Sequence, residues 1–141
     1  MIRALTADDY EAAIRLWRET PGVGLRAYDD SREGVARFLA RNPSTCFAAE
    51  AGGELVGTIL CGHDGRRGAI YHLAVSEAHR RRGFGGDLVR AACGALRREG
   101  IAKANLVSYR ENAAGNAFWD ALGFRERLDL SYRDRDLTED V

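Results

Sequence analysis

The sequence predicts an α/β fold of the α+β kind, with one mixed, twisted sheet of about six strands and helices on both faces. Two features carry that expectation. Two glycine-centred turns, Gly52-Gly53 and Asp64-Gly65, join apolar runs and demand antiparallel hairpins. Further on, the apolar run Ala69–Val75, a glycine-rich turn, a helical pattern and another run ending at Tyr109 make a strand–helix–strand unit. Such a unit favours a parallel pair with a right-handed crossover. The 141 residues suffice for one domain with its own core, and 45 % hydrophobic with 30 % charged residues is ordinary for a globular chain.

In order, Ile2 to Leu5 reads as a first short strand. Thr6 stands as an N-cap, with Asp8 and Asp9 in the first turn, where the helix dipole favours acids. Tyr10, Ala13, Ile14 and Trp17 then share one face at helical spacing, and Pro21-Gly22-Val23-Gly24 ends that helix. Gly24 to Asp30 reads as a polar loop. Ser31 caps a second helix carrying Val35, Phe38 and Leu39, closed by Asn42-Pro43. Strands follow at Thr45–Glu50, Glu54–Leu60 and Ala69–Val75. A helix from about Gly85 to Glu99 stops at Gly100, and Lys103–Tyr109 is one more strand. Asn112 caps a last helix with Phe118, Ala121 and Leu122 inward, and Gly123 ends it. Phe124–Arg133 reads as a final strand, and residues 134–141 as a charged tail that frays. The order is β-α-α-β-β-β-α-β-α-β.

Net charge is zero, so no global field draws the chain to nucleic acid or to an anionic membrane. Cys46, Cys61 and Cys93 are scattered and odd in number, which argues against a disulfide framework and against a metal site, and for a reducing cytoplasm. Met1 to Thr6 has no signal-peptide pattern, and no apolar run approaches the length of a membrane span.

The chemistry gathers between Val75 and Leu88. Three arginines, Arg80 to Arg82, precede Gly83, Gly85 and Gly86 at a strand-to-helix turn. A helix start leaves backbone N–H groups unpaired with a dipole behind them, and glycines let an anion approach the backbone closely. The stretch therefore predicts a phosphate cradle. It is not a P-loop, because no Lys-Ser or Lys-Thr follows Gly86. Nor is it a dinucleotide fingerprint, because Leu88 stands where the third glycine belongs. What fits is Arg-x-x-Gly-x-Gly, filled by Arg80, Gly83 and Gly85.

That motif resembles the acetyl-CoA pyrophosphate loop of the GNAT N-acetyltransferases. A second family signature follows about thirty residues on. It is an Asn and then a helix ending in Tyr-x-x-Leu-Gly-Phe, here Asn112 followed by Trp119-Asp120-Ala121-Leu122-Gly123-Phe124. Leu73-Ala74-Val75 stands on the expected strand. Val56-Gly57-Thr58 and His63 to Gly68, with Tyr71 to Val75, resemble the small bacterial YpeA-type members more narrowly. The resemblance implies one N-acetyltransferase domain over 1–141 and direct transfer of an acetyl group from acetyl-CoA to an amine. The acceptor would be a small molecule or a peptide or protein N-terminus, and many members pair as homodimers. The backbone of Leu73, Ala74 and Val75 would hold the pantetheine arm in a gap where the sheet splays from Lys103–Tyr109. An N–H near Leu73 or Ala74 would stabilise the developing oxyanion. Arg80, Arg81, Arg82, Gly83, Phe84, Gly85 and Gly86 would take the pyrophosphate, with Asn112 and Trp119 bordering the cofactor.

The sequence departs from the family at its acid. Trp119 stands where a tyrosine usually protonates the leaving thiolate, and indole cannot do so. A thiol of pKa ~8.5 leaves unaided for about 2 kcal/mol at pH 7, whereas deprotonating an amine of pKa ~10.4 costs roughly 4.6 kcal/mol. The base is the harder requirement. Candidates are Tyr71, His72 and Tyr109, directly or through water, and strand alternation lets only one of Tyr71 and His72 face the cleft. Two other classes compete. One is a non-catalytic acyl-CoA-binding regulatory module that has lost its acid. The other is a nucleic-acid binder using Arg80–Arg82, Arg97 and Arg98, which zero net charge opposes.

Overall fold

In the computed structural model, which describes residues 1–138, five strands lie side by side in chain order. They are β1 (Ile2–Ala4), β2 (Phe47–Ala51), β3 (Glu54–His63), β4 (Gly68–Val75) and β5 (Ala104–Leu106). The helices are α1 (Tyr10–Glu19), α2 (Ala27–Asp30), α3 (Arg32–Arg41), α4 (Phe84–Arg98) and α5 (Ala113–Ala121). Strands β1 to β4 pair antiparallel, and β4 with β5 parallel, so the sheet is mixed as expected. At the β2–β3 turn Gly52 and Gly53 take φ of 59° and 78°, a conformation that matches the twist of a tight hairpin and that side chains resist.

Each face of the sheet has its own core. On one, Trp17, Ile14, Val35 and Leu39 from α1 and α3 pack on Cys46, Ala48, Leu60 and Ala74. On the other, Leu88, Val89, Ala92 and Leu96 of α4 pack on Ala49, Ile59, Cys61 and Ile70, with Phe118, Trp119 and Leu122 covering the margin. Trp17 has a polar handle that is also satisfied: its Nε1–H donates to Thr58 Oγ1 at 2.8 Å.

The first strand is tied down by charge. Arg3 forks onto both oxygens of Asp9 at 2.8 Å each, and its Nε donates to Glu50 at 2.6 Å. Asp9 also accepts the Thr6 N–H at 2.9 Å, within a 3-10 turn at Ala7–Asp9 that precedes α1. Ser31 caps α3 as expected, accepting from the Gly34 N–H at 3.0 Å.

Three expectations need correction. The polar loop over Gly24–Asp30 contains the short helix α2, begun where Asp30 Oδ2 accepts the Arg26 N–H at 2.8 Å. The strand over Lys103–Tyr109 is only Ala104–Leu106. No strand forms over Phe124–Arg133, so the sheet has five strands and not six. Leu128, Leu130 and Tyr132 do alternate at strand period, but they are exposed, and the polar residues between them are spent on local pairs such as Arg127 with Asp129. Alternation without a neighbouring edge makes no strand. Of the tail expected to fray, residues 139–141 lie outside the described residues; ahead of them Asp136 accepts from Thr138 N–H at 2.8 Å and pairs with Arg26 at 3.1 Å.

The hydrogen bonds from Arg3 hold the Asp9 carboxyl below its usual pKa, against the opposing effect of burial. A depressed carboxyl contributes stability above its unfolded pKa and loses it as pH falls through the folded value. Asp9→Asn is therefore expected to cost about 1 kcal/mol at pH 7. Urea titrations repeated down to pH 3 should show the difference from wild type shrinking towards zero.

Candidate functional site

The site begins where a strand loses its neighbour. The parallel pair runs only through Gly68–Ala104, Ala69–Asn105 and Ile70–Leu106. β4 continues to Val75 with β3 on its other side, while the chain beyond Leu106 leaves the sheet until α5. The edge of β4 from Tyr71 to Val75 thus fronts a gap. Its far rim is the segment from Val107 to Asn112. That rim leans on the loop after α1: a Cβ on Gly24 would lie 2.5 Å from the Tyr109 hydroxyl, and one on Gly22 would lie 2.7 Å from Asn112 Nδ2.

Within the free stretch β4 carries a bulge. Leu60 faces Tyr71 and Thr58 faces Ala74, so His72 and Leu73 together oppose Ile59. His72 takes φ +45°, rare for a side-chain-bearing residue. The extra residue overturns the alternation expected for Tyr71 and His72. Both lie on the α1–α3 face: Tyr71 against Phe38 with ring centroids 5.8 Å apart, His72 against Trp17 at 4.7 Å. Leu73 instead joins the α4 face. Tyr71 is 51 % exposed, and burial of the remainder pushes its phenol up. His72 Nε2 lies 2.6 Å from Asp30 Oδ1, a partner 42 residues away that the sequence reading missed. Nothing local could have announced it, because the contact exists only once α2 forms and the bulge turns the ring towards it.

Past Val75 a 3-10 turn over Glu77–His79 leads to Arg80–Gly86. Arg81 and Gly83 take φ of 64° and 83°, and Gly83 caps α4 from the left-handed region. Among the described residues, none of the N–H groups from Arg81 to Gly86 meets a hydrogen-bond acceptor; the first that does is Asp87, to Gly83 O at 3.0 Å. Six donors therefore converge at the positive end of a fifteen-residue helix. Arg80, Arg81 and Arg82 are exposed and have no carboxylate partner among the described residues. Asp87, the one acid nearby in the helix's first turn, is paired with Arg90 at 2.7 Å. A Cβ on Gly83 would meet nothing within 4 Å, while one on Gly85 would lie 3.2 Å from the Phe118 ring. The cradle is open in front and packed behind.

Asn112 caps α5, its Oδ1 accepting the Gly115 N–H at 3.1 Å. Trp119 is wedged edge-on between Phe118 at 5.2 Å and Phe124 at 5.0 Å, as a packing residue at the margin of the α4 core.

A family model described as the acetyltransferase (GNAT) family matches residues 3–124. The chain belongs to the GNAT acetyltransferase family. An acetyltransferase of Yersinia pestis (strain Pestoides F) is 32 % identical over 133 residues, covering 94 % of this chain and 89 % of that one. One of Sodalis glossinidius (strain morsitans) is 32 % identical over 139 residues, covering 99 % and 96 %. Among solved structures, the PaiA N-acetyltransferase of Thermoplasma acidophilum, in complex with coenzyme A, superposes with a TM-score of 0.75 at 22 % identity, covering 86 % of this chain and 87 % of that one. At that identity the likeness is one of fold.

As a GNAT acetyltransferase the chain is an acetyl-CoA-dependent acyltransferase. Among the described residues no helix is long and apolar enough to cross a membrane, and no three His, Cys, Asp or Glu side chains gather as metal ligands. The cysteines offer no nucleophile either. Burial pushes the Cys46 thiol up to about 11 and Cys61 to about 12, and raises half-buried Cys93 too. The thiolate is the reactive form. In the folded enzyme at pH 8, a disulfide reagent should leave Cys46 and Cys61 untouched, and all three cysteines should react once urea unfolds the chain. Peptide mapping reads the sites, and rapid labelling of Cys61 in the folded state would contradict its burial.

Proposed function

We propose that this enzyme moves an acetyl group from acetyl-CoA directly to a primary amine, on a small molecule or at a peptide or protein N-terminus. The observation that carries the reading is succession: the edge of β4 beyond Ile70, left without β5, is followed after one 3-10 turn by six unpaired N–H groups at the start of α4. A long arm ending in a pyrophosphate needs both in one line. The free N–H groups of Arg81 to Gly86, with Arg80, Arg81 and Arg82 around them, suit the pyrophosphate; Leu73, Ala74 and Val75 suit the arm; Phe84, Asn112 and Trp119 border it. That the PaiA structure, which shares this fold, is a complex with coenzyme A supports the choice of acetyl-CoA as donor. When bound, acetyl-CoA supplies the activated acetyl group.

The chain's own residues do the rest. A backbone N–H near Leu73 or Ala74 would stabilise the negative charge that develops on the carbonyl oxygen. With Cys46 and Cys61 buried and the half-buried Cys93 thiol raised as well, no thiol is activated as an acyl carrier, which favours attack by the amine itself. A base must come from the α1–α3 side of β4 or from the opposite rim, where Tyr71, His72 and Tyr109 stand.

Calorimetric titration with acetyl-CoA, followed by thiol-release assays over amines and peptide N-termini, tests the proposal. Micromolar binding and transfer to at least one primary amine are expected; binding with no transfer to any of them overturns the acceptor class. Gly83→Glu would put a carboxylate among the donors. It should weaken acetyl-CoA binding by more than about a hundredfold, the equivalent of roughly 3 kcal/mol, while the melting temperature changes by a few degrees. Unchanged binding would move the cradle elsewhere.

A further inference from the structure

We propose that Asp30 is a positioning residue that holds His72 in a single tautomer, so that His72 Nδ1 is the base that takes the proton of the attacking amine. The proposal rests on the acetyl-transfer reading above and names the base for it.

The pair is built to be rigid. Asp30 is 8 % exposed, and the His72 side chain 14 %. Asp30 Oδ1 lies 2.6 Å from His72 Nε2, and Oδ2 accepts the Arg26 N–H at 2.8 Å. The backbone carbonyl of Asp30 accepts the Tyr10 hydroxyl at 2.6 Å, which fixes the residue from α1 as well. The ring packs at a tilt against Trp17, whose Nε1–H donates to Thr58 Oγ1, and that hydroxyl donates in turn to the His72 carbonyl at 2.9 Å. Side chain and backbone of His72 are therefore held from both sides.

A carboxylate accepts hydrogen bonds and cannot donate. Burial would raise the Asp30 carboxyl, but the hydrogen bonds from His72 and Arg26 outweigh it and keep the group below its usual value. Nε2 must then carry the hydrogen, which leaves the lone pair on Nδ1. Among the described residues Nδ1 has no hydrogen-bond partner, yet no buried side-chain nitrogen or oxygen lacks one, so Nδ1 reaches solvent. The His72 backbone stands two residues beyond Ile70, the last position of β4 paired with β5, and next to Leu73. A tether for α2 would need the hydrogen bond between Asp30 and His72 alone. It would not need His72 held in the left-handed region at a bulge, with a ring nitrogen left unpartnered among the described residues.

In the reaction the amine nitrogen bonds to the acetyl carbon, the thioester C–S bond breaks, and the proton lost by nitrogen goes to His72 Nδ1. From there it passes to solvent, and the departing thiolate takes a proton back to give the free thiol. Around the ring the titratable groups are Asp30 from α2, Tyr10 from α1 and Tyr71 on its own strand. Trp17 and Thr58 complete the surroundings without charge.

The tautomer is read directly in the wild-type protein by 15N chemical shifts of the His72 imidazole. A hydrogen on Nε2 and a lone pair on Nδ1 are expected, and the reverse tautomer overturns the proposal without any variant. Asp30→Asn should lose that preference. It should also lower kcat by about a hundredfold, flatten the acid limb of the pH profile, and leave the affinity for acetyl-CoA unchanged. Diethyl pyrocarbonate should modify His72 in the wild type, and acetyl-CoA should protect it. If the wild type transfers acetyl groups and Asp30→Asn keeps its kcat, this proposal falls alone. If the wild type fails to bind acetyl-CoA, the transfer reading falls and takes this proposal with it.

Discussion

The parallel pairing of β4 with β5 lasts three residues, and the rest of the structure is arranged around its end. Packing fixes the closed end. A Cβ on Gly68 would lie 2.6 Å from Leu96 Cδ1, so α4 rests directly on the strand where the pair begins. Beyond Ile70, β4 offers unpaired backbone groups on one side. Such an edge ordinarily invites aggregation or costs desolvation if it is covered. Here the segment from Val107 to Asn112 folds back on the loop after α1, where Tyr109 and Asn112 lie close against Gly24 and Gly22. The bulge at His72 and Leu73 adds local twist at the same place, which turns β4 away from β5 and aims two polar side chains to one face.

What was legible in the sequence was local. The two glycine hairpins, the Ser31 and Asn112 caps, and the strand–turn–helix at Val75–Leu88 each depend on neighbours within a few residues, so residue type alone announces them. The run of unpaired N–H groups from Arg81 to Gly86 belongs to this group, because unpaired donors at a helix start follow from the helix itself. The existence of a mixed sheet was legible too, since hairpins and a crossover dictate strand direction. The site's second half was not. Asp30 and His72 meet across 42 residues, and the bulge that turns His72 depends on register between β3 and β4. Period-two alternation assumes an unbroken ladder, so it gave the wrong answer at Tyr71 and His72, where one residue is inserted.

The false strand at Phe124–Arg133 has a related cause. Leu128, Leu130 and Tyr132 satisfy the pattern of a half-buried strand, yet all three are exposed. Periodicity reports a preference for a pleated surface, and that preference is realised only against a partner. The helix α2 shows the converse. Arg26 to Asp30 has no apolar face to announce a helix, and its first turn is held by a carboxylate on the Arg26 N–H and a phenol on the Asp30 carbonyl. The strand failed for want of a partner, and α2 is held in part by a phenol twenty residues away in sequence.

The two departures of the site, a tryptophan for the acid and a histidine held by a carboxylate, answer to different magnitudes. A thiolate of ordinary pKa leaves for about 2 kcal/mol at neutral pH, a cost that water can meet. Position 119 is therefore free for packing, and the indole between Phe118 and Phe124 serves to seat α5 against the α4 core. An ammonium acceptor asks for roughly 4.6 kcal/mol before it can attack, and bulk water at pH 7 lowers none of it. That larger demand falls on the β4 side, where the bulge, Trp17, Thr58 and Asp30 together immobilise one ring. In the proposed mechanism the step with the higher cost draws on a strained residue and a buried carboxylate, and the cheaper step is left to solvent. Under that proposal the enzyme depends on a base and can dispense with an acid.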